Sequence, residues 1–248
     1  MSKLMAFPMY DVNRADTDAL WRTIQSLLLA RGITVASPPE QDLLTLWQQP
    51  DLALSQTCGY PLMTALPDVQ VVGCFHYAAP GCEGIHYRSF LVVREEDKHR
   101  TLADFRGRRA VCNSPDSQSG YNVLRKKIAR AAVNDYFSSV TFSGSHRQSL
   151  VDVGRGAGDI AAVDCVTYAL LQRHEPALLA GLAVIERTPL TPGLPLITAR
   201  QTSHATLQAI RDALNELVNN PEYREVCRAV LIGGFSEVTR QAYYQLLD

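Results

Sequence analysis

The sequence predicts a two-lobed α/β protein in which each lobe is a mostly parallel sheet flanked by helices. Strand-like and helix-like segments alternate along almost the whole chain, which is the pattern of parallel sheets. A long β-rich run at residues 87–93, after a loop carrying Pro80 and Gly81, reads as a crossing into a second lobe. The cluster Pro189, Pro192, Gly193 and Pro195 reads as the return. The expected organisation is therefore 1–86 with 189–248 as lobe I and 87–188 as lobe II.

The first ten residues carry the first strand. Asp16 or Thr17 is the expected cap of a helix whose Leu20, Trp21, Ile24, Leu27 and Leu28 recur at helical spacing, with Gly32 as its stop. A strand at 33–35, Pro38 and Pro39 as breakers, a short helix over 43–47 and strands at 52–54 and 69–75 follow. Beyond the crossing, Thr101 and Asp104 resemble a capping box for a short helix stopped by Gly107. A strand at 109–112 feeds Pro115-Asp116-Ser117-Gln118-Ser119-Gly120-Tyr121-Asn122, where a helix starting near Ser119 carries Leu124 and Ile128. A strand at 140–142 feeds Ser143-Gly144-Ser145-His146 in the same way, with Ser145 and Gln148 as a capping-box pair for the next helix. Gly154, Gly156 and Gly158 turn into a strand at 160–163 that ends at Asp164, and a further strand lies at 182–185. Helical patterns around 207–218, 223–231 and 243–247 close the chain.

A chain of 248 residues can bury a substantial core, and 46% apolar with 20% charged residues is an ordinary globular composition. A net charge of -1 without a basic run argues against a nucleic-acid surface, because phosphate binding needs clustered Lys and Arg. No uncharged apolar run approaches the roughly 18 residues of a membrane span, so no membrane insertion is expected. The first ten residues lack an apolar h-region with a cleavage site, which places the chain as written in the cytoplasm, or in the periplasm if a leader precedes it. Six cysteines without a C-x-x-C pair suggest neither a zinc site nor a disulfide scaffold. Reduced thiols are the default, and neither metal nor cofactor is expected.

Ligands of open parallel sheets bind beyond the carboxyl ends of the strands. That rule selects Tyr10 and Asp11, Thr57 to Tyr60, His76 and Tyr77, Ser117 to Tyr121, Ser145 and His146, and Asp164 to Thr167. The richest stretch is Ser117-Gln118-Ser119-Gly120. A helix start there offers backbone N–H groups without intrahelical partners and a partial positive charge. Two hydroxyls add donors, and Gly120 lets a ligand approach the backbone, which together make an anion cradle. The alternative is a Ser cap and an easy turn.

As a set, Tyr87-Arg88-Ser89, Leu102-Ala103-Asp104-Phe105-Arg106-Gly107, Asp116-Ser117-Gln118-Ser119-Gly120-Tyr121, Gly144-Ser145-His146-x-x-Ser149-Leu150 and Asp159-Ile160-Ala161-Ala162-Val163-Asp164 resemble the PhnD-like binding subunits of phosphate, phosphite and phosphonate importers. The resemblance implies a type II periplasmic-binding-protein fold, two lobes joined by two crossover strands that close on a small anionic ligand. It implies Ser117, Gln118 and Ser119 as oxyanion donors, with His146, Asp164, Tyr60 and Tyr87 as further ligand residues. An ABC permease or a regulator is the implied protein partner. Two departures narrow the ligand. Gln118 stands where the family typically has Thr, and the segment 191–195 lacks the acid that would hold an aminophosphonate amine.

Each residue has a second reading. His146 contacts the anion or is held by local backbone, and Asp164 meets a ligand, orients His146 or caps the helix near Thr167. Tyr60 and Tyr87 close over a ligand or fill the hinge region, and Tyr10, His76, Tyr77 and Glu83 are second choices. The competing function is a cytosolic enzyme on the same scaffold, similar to chorismate dehydratase and acting on a small carboxylate, with Cys165 as nucleophile near His146 and Asp164. No nucleotide, zinc-protease or hydrolase motif supports it, and the expectation is a solute-binding protein without catalytic residues.

Overall fold

The computed structural model describes residues 2–128 and 133–247. The chain opens with β1 (Lys3–Ala6), α1 (Arg14–Leu29), β2 (Val35–Ala36), α2 (Leu43–Trp47), β3 (Leu52–Gln56), α3 (Gly59–Thr64) and β4 (Gln70–Tyr77). It continues through β5 (His86–Tyr87), β6 (Ser89–Arg94), β7 (Arg109–Cys112), α4 (Val123–Lys127), α5 (Val133–Tyr136), β8 (Ser139–Phe142), α6 (His146–Gly154), β9 (Ile160–Asp164), α7 (Cys165–His174), α8 (Pro176–Leu179) and β10 (Leu182–Arg187). It closes with β11 (Thr191–Pro192), β12 (Pro195–Thr198), α9 (His204–Asn219), α10 (Arg224–Ala229) and β13 (Ile232–Ser236).

The chain forms two compact units. Unit 1 comprises Met1–Ala78, Glu83–His86 and Pro192–Asp248, and unit 2 comprises Ala79–Cys82 and Tyr87–Thr191. Among the described residues no helix is long and apolar enough to cross a membrane.

Unit 1 is built on a six-stranded sheet in the order β13-β4-β12-β3-β1-β2. Side chains of successive strand residues point to opposite faces, and the core divides accordingly. Met5, Ala53, Val72 and Leu196 meet Leu20, Ile24, Ile210 and Leu214 of α1 and α9. Leu52, Val71 and Ile197 meet Trp47, Leu62 and the buried Tyr243 on the other face. The cap of α1 is Asn13 rather than Asp16 or Thr17, because its carboxamide oxygen accepts from Ala15 N–H (3.0 Å) and Asp16 N–H (3.3 Å). Two strands of this sheet, β12 and β13, lie where none was expected. β12 starts on Pro195, inside the proline cluster, where the first strand position tolerates a residue without an N–H. It runs antiparallel between β3 and β4, and β13 adds an antiparallel edge. The expected last helix is a 3-10 helix over Arg240–Leu246.

Unit 2 holds a five-stranded sheet in the order β10-β6-β9-β7-β8, with β7 parallel to β8 and β9, and β6 antiparallel to β9 and β10. Leu91, Ala110, Cys112 and Ala162 pack with Phe105, Leu124 and Phe137 on one face. The Thr101–Asp104 capping box is formed, and Thr101 N–H donates to Asp104 Oδ2 at 2.8 Å. An ionic node closes the opposite end of the sheet from the candidate site. Asp159 receives Arg94 Nη2 at 2.8 Å, Arg109 Nη2 at 2.9 Å and Arg109 Nε at 3.0 Å. Burial alone would push its carboxyl up, but the two guanidiniums outweigh burial and hold it well below the usual carboxylate range.

Candidate functional site

The strand ends of unit 2 gather the serine-rich stretch and His146. Cys112 of β7 lies beside Phe142 of β8 in parallel register, so the segments that follow the two strands leave the sheet side by side. Backbone bonds tie them together, with Ser143 N–H donating to Cys112 O and Gly144 N–H to Asn113 O, both at 2.9 Å. Ser143 Oγ lies 2.7 Å from Ser149 Oγ and donates to Ser145 O at 2.8 Å, which fixes the second segment.

The helix expected to start near Ser119 starts one residue earlier, with Ser117 as its cap and Gly120 N–H donating to Ser117 Oγ at 3.0 Å. Its first turn is a π-helix over Gln118–Asn122, closed by Asn122 N–H donating to Ser117 O at 2.9 Å. A ring of that width sets the N–H groups of the first turn ahead of the helical ladder. Side chains brace it, since Asn122 Nδ2 donates to Gln118 Oε1 (2.6 Å) and Arg125 Nη2 donates to Asn122 Oδ1 (2.8 Å). Gly120 is required for packing. A Cβ there would fall 1.9 Å from Asn113 Oδ1, so only glycine admits the Asn113 side chain against the turn.

Ser119 Oγ and His146 Nε2 are hydrogen-bonded at 2.8 Å, which joins the two helix starts. His146 Nδ1 and Asn113 Oδ1 are sealed from solvent without a hydrogen-bond partner. Burial pushes the His146 imidazole down to about 4, so the ring is neutral at pH 7. The polar groups assembled here are thus hydroxyls, backbone amides and a neutral imidazole. The second capping box is half made. Ser145 Oγ accepts Gln148 N–H at 3.0 Å, while Gln148 Nε2 turns to Asp152 Oδ1 at 2.8 Å.

Asp164 caps α7, its Oδ1 accepting from Val166 N–H (2.7 Å) and Thr167 N–H (3.3 Å). It stands opposite Ser89 in the β6–β9 register, and Ser89 Oγ donates to Ser119 O at 2.7 Å. Ser89 and Asn113 were not among the expected site residues. Ser89 closes the Tyr87-Arg88-Ser89 motif but was given no role there, and Asn113 lies in no motif; strand pairing and the Gly120 packing bring them in. Tyr121 sets its ring edge-on to Phe142, with centroids 5.5 Å apart, and Tyr87 is buried in β5. Tyr10 and Tyr60 belong to unit 1. Tyr10 is buried edge-on against Tyr77 at 4.9 Å, and Tyr60 sits half-buried in the first turn of α3. His76 Nε2 bonds Ser236 Oγ at 2.7 Å. Among the described residues no cluster of His, Cys, Asp and Glu could hold a metal ion. Cys165 is fully buried, and its hydrogen bond to Cys82, with burial, pushes the thiol up, which is unsuited to a catalytic nucleophile.

No curated protein matches the sequence significantly. Solved structures resemble the fold over nearly its whole length. PhnD1 from Prochlorococcus marinus, in complex with methylphosphonate, matches with a TM-score of 0.80 at 16% identity, covering 99% of this chain and 96% of that one. A binding-protein component of an ABC phosphonate transporter from Pseudomonas aeruginosa matches with a TM-score of 0.81 at 18% identity, covering 100% of this chain and 85% of that one. An ancestral arginine-binding protein bound to arginine matches with a TM-score of 0.62 at 16% identity, over 92% of this chain and 96% of that one. The fold is that of the type II periplasmic binding proteins. The family described as "ABC transporter, phosphonate, periplasmic substrate-binding protein" matches residues 32–243. With that match spanning most of its length, the chain belongs to the phosphonate-binding family of ABC-transporter substrate-binding proteins, and its role is solute binding rather than catalysis.

Proposed function

We propose that the chain binds a small phosphonate or phosphate ester through the strand-end face of unit 2 and delivers it to an ABC permease on the periplasmic side of the membrane. The Ser117 and Ser119 hydroxyls and the backbone N–H groups of Gln118, Ser119 and Tyr121 receive the oxyanion, and His146, held through Nε2 on Ser119 Oγ, sits beside them. Asp164 and Tyr87 complete the proposed ligand set of unit 2. The observation that carries the reading is the 2.8 Å bond between Ser119 and His146, which joins two helix starts at adjacent parallel strand ends. Helix starts are anion sites because their N–H groups and dipoles point at the ligand. The ligand carries no amine that needs an acid from 191–195, since that segment reads Thr191-Pro192-Gly193-Leu194-Pro195.

Thermal-shift and calorimetric screening of phosphonates, phosphate esters, carboxylates and sulfonates tests this. A phosphonate or phosphate ester should give the strongest response, and a Ser117→Ala plus Ser119→Ala variant should lose it. An undiminished response in that variant would sink the assignment.

A further inference from the structure

We propose that Cys82 and Cys165 are a redox-modification site, two thiols placed to close into a reversible disulfide that staples residues 79–82 to the first turn of α7. Their sulfurs lie 3.5 Å apart. Closing to the roughly 2.05 Å of an S–S bond takes a movement on the scale of side-chain rotation. The surrounding backbone is already fixed. Gly81 adopts φ +101°, and a Cβ on it would come within 3.2 Å of Cys165 Cβ and of the Phe90 ring, so the loop lies directly on Cys165. Arg88 clamps both sides, its Nε donating to Gly81 O (3.2 Å) and its carbonyl accepting Cys165 N–H (3.1 Å). Cys82 N–H donates to Ala79 O at 3.0 Å, closing the turn that presents the thiol.

Access selects the order of events. Among the described residues Cys82 is the one cysteine of the six that is not fully buried. The hydrogen bond from Cys165 favours the Cys82 thiolate, while the same bond and burial hold Cys165 protonated. Cys82 is therefore the first nucleophile toward an external disulfide, R–S–S–R, the class of oxidant that an oxidising compartment supplies. Its thiolate attacks one sulfur, the S–S bond breaks, and the departing RS⁻ takes up a proton. Cys165 then loses its proton to solvent and attacks the Cys82 sulfur of the mixed disulfide, and the second RS⁻ leaves and is protonated. The two cysteines are oxidised by two electrons, and R–S–S–R is reduced to two RSH.

The placement gives the bond a consequence. Ala79–Cys82 is an excursion of unit 2 flanked on both sides by chain of unit 1, and Cys82 is its last residue. Cys165 directly follows Asp164. Oxidation pins the end of that excursion to the helix start that Asp164 caps.

The test takes the full chain, reduced and then incubated with oxidised glutathione, quenched by alkylation in denaturant so that buried thiols react, and mapped without reduction. The expected result is a loss of about 2 Da before alkylation, the two hydrogens removed. One cross-linked peptide pair should carry Cys82 and Cys165, and the other four cysteines should be alkylated. In Cys165→Ser, Cys82 should accumulate as the glutathione mixed disulfide. Cys82 and Cys165 both remaining alkylatable in the wild-type chain, or a cross-link to another cysteine, would overturn the proposal. The wild-type map decides even if a variant fails to fold.

Discussion

Replacing Ser119 by Ala tests the junction between the two helix starts. The change removes one hydroxyl and leaves His146 Nε2 without its 2.8 Å partner, when Nδ1 already has none. A buried polar group left unsatisfied costs about 1–3 kcal/mol. At about 2–4 °C per kcal/mol for a chain of this size, the melting midpoint should fall by roughly 2–12 °C. Binding should suffer separately, because a hydrogen bond to a charged group contributes about 1.5–3 kcal/mol, a loss of roughly 10- to 150-fold in affinity. Calorimetric titration with methylphosphonate measures the second effect and scanning calorimetry the first. Ser119→Thr, which keeps the hydroxyl, should restore most of both. Undiminished affinity in Ser119→Ala would refute the reasoning even if the melting point drops, since Ser119 would then serve only to hold His146.

Three further outcomes follow from the geometry. Gly120→Ala must displace the Asn113 side chain, which lies 1.9 Å from the new Cβ, and overpacking of that kind costs about 1–3 kcal/mol; thermal melting should show the loss, with weakened anion binding in titration. Asp159→Ala removes the carboxylate that Arg94 and Arg109 share, and should lower the stability of unit 2 in urea unfolding, chiefly through the better-buried Arg94. Stability should fall as pH drops from 6.5 towards 4. The unfolded His146 takes up a proton near its ordinary 6.5 and the folded one only near about 4, a penalty of at most about 3 kcal/mol that His146→Gln should abolish. Below that range the Asp159 contribution is lost in turn, because its folded carboxyl titrates well below the unfolded one.

The parts of the fold governed by local rules were legible in the sequence. Period-3.6 spacing found α1 through Leu20, Ile24, Leu27 and Leu28, and all four are buried. The strand-end rule selects Ser117–Gly120 and His146 from the sequence alone. What escaped depends on partners distant in sequence. β12 reads as a loop because Pro192, Gly193 and its own Pro195 dominate locally, and it is a strand only because β3 and β4 flank it. The π turn depends on Asn122 reaching Gln118 and Arg125 reaching Asn122, interactions that a hydrophobic period does not report. Ser89 enters through antiparallel pairing with β9, and Asn113 through the missing side chain of Gly120. The cap of α1 was misplaced for a simpler reason, since Asn13, Asp16 and Thr17 are all good caps and only backbone geometry selects among them.

The most direct measurement is a crystal structure of the chain grown with methylphosphonate. Phosphonate oxygens should lie within hydrogen-bond distance of the Ser117 and Ser119 hydroxyls and the first-turn N–H groups, with His146 beside them. A phosphonate bound elsewhere, with the serine-rich turn unoccupied, would contradict the proposed site.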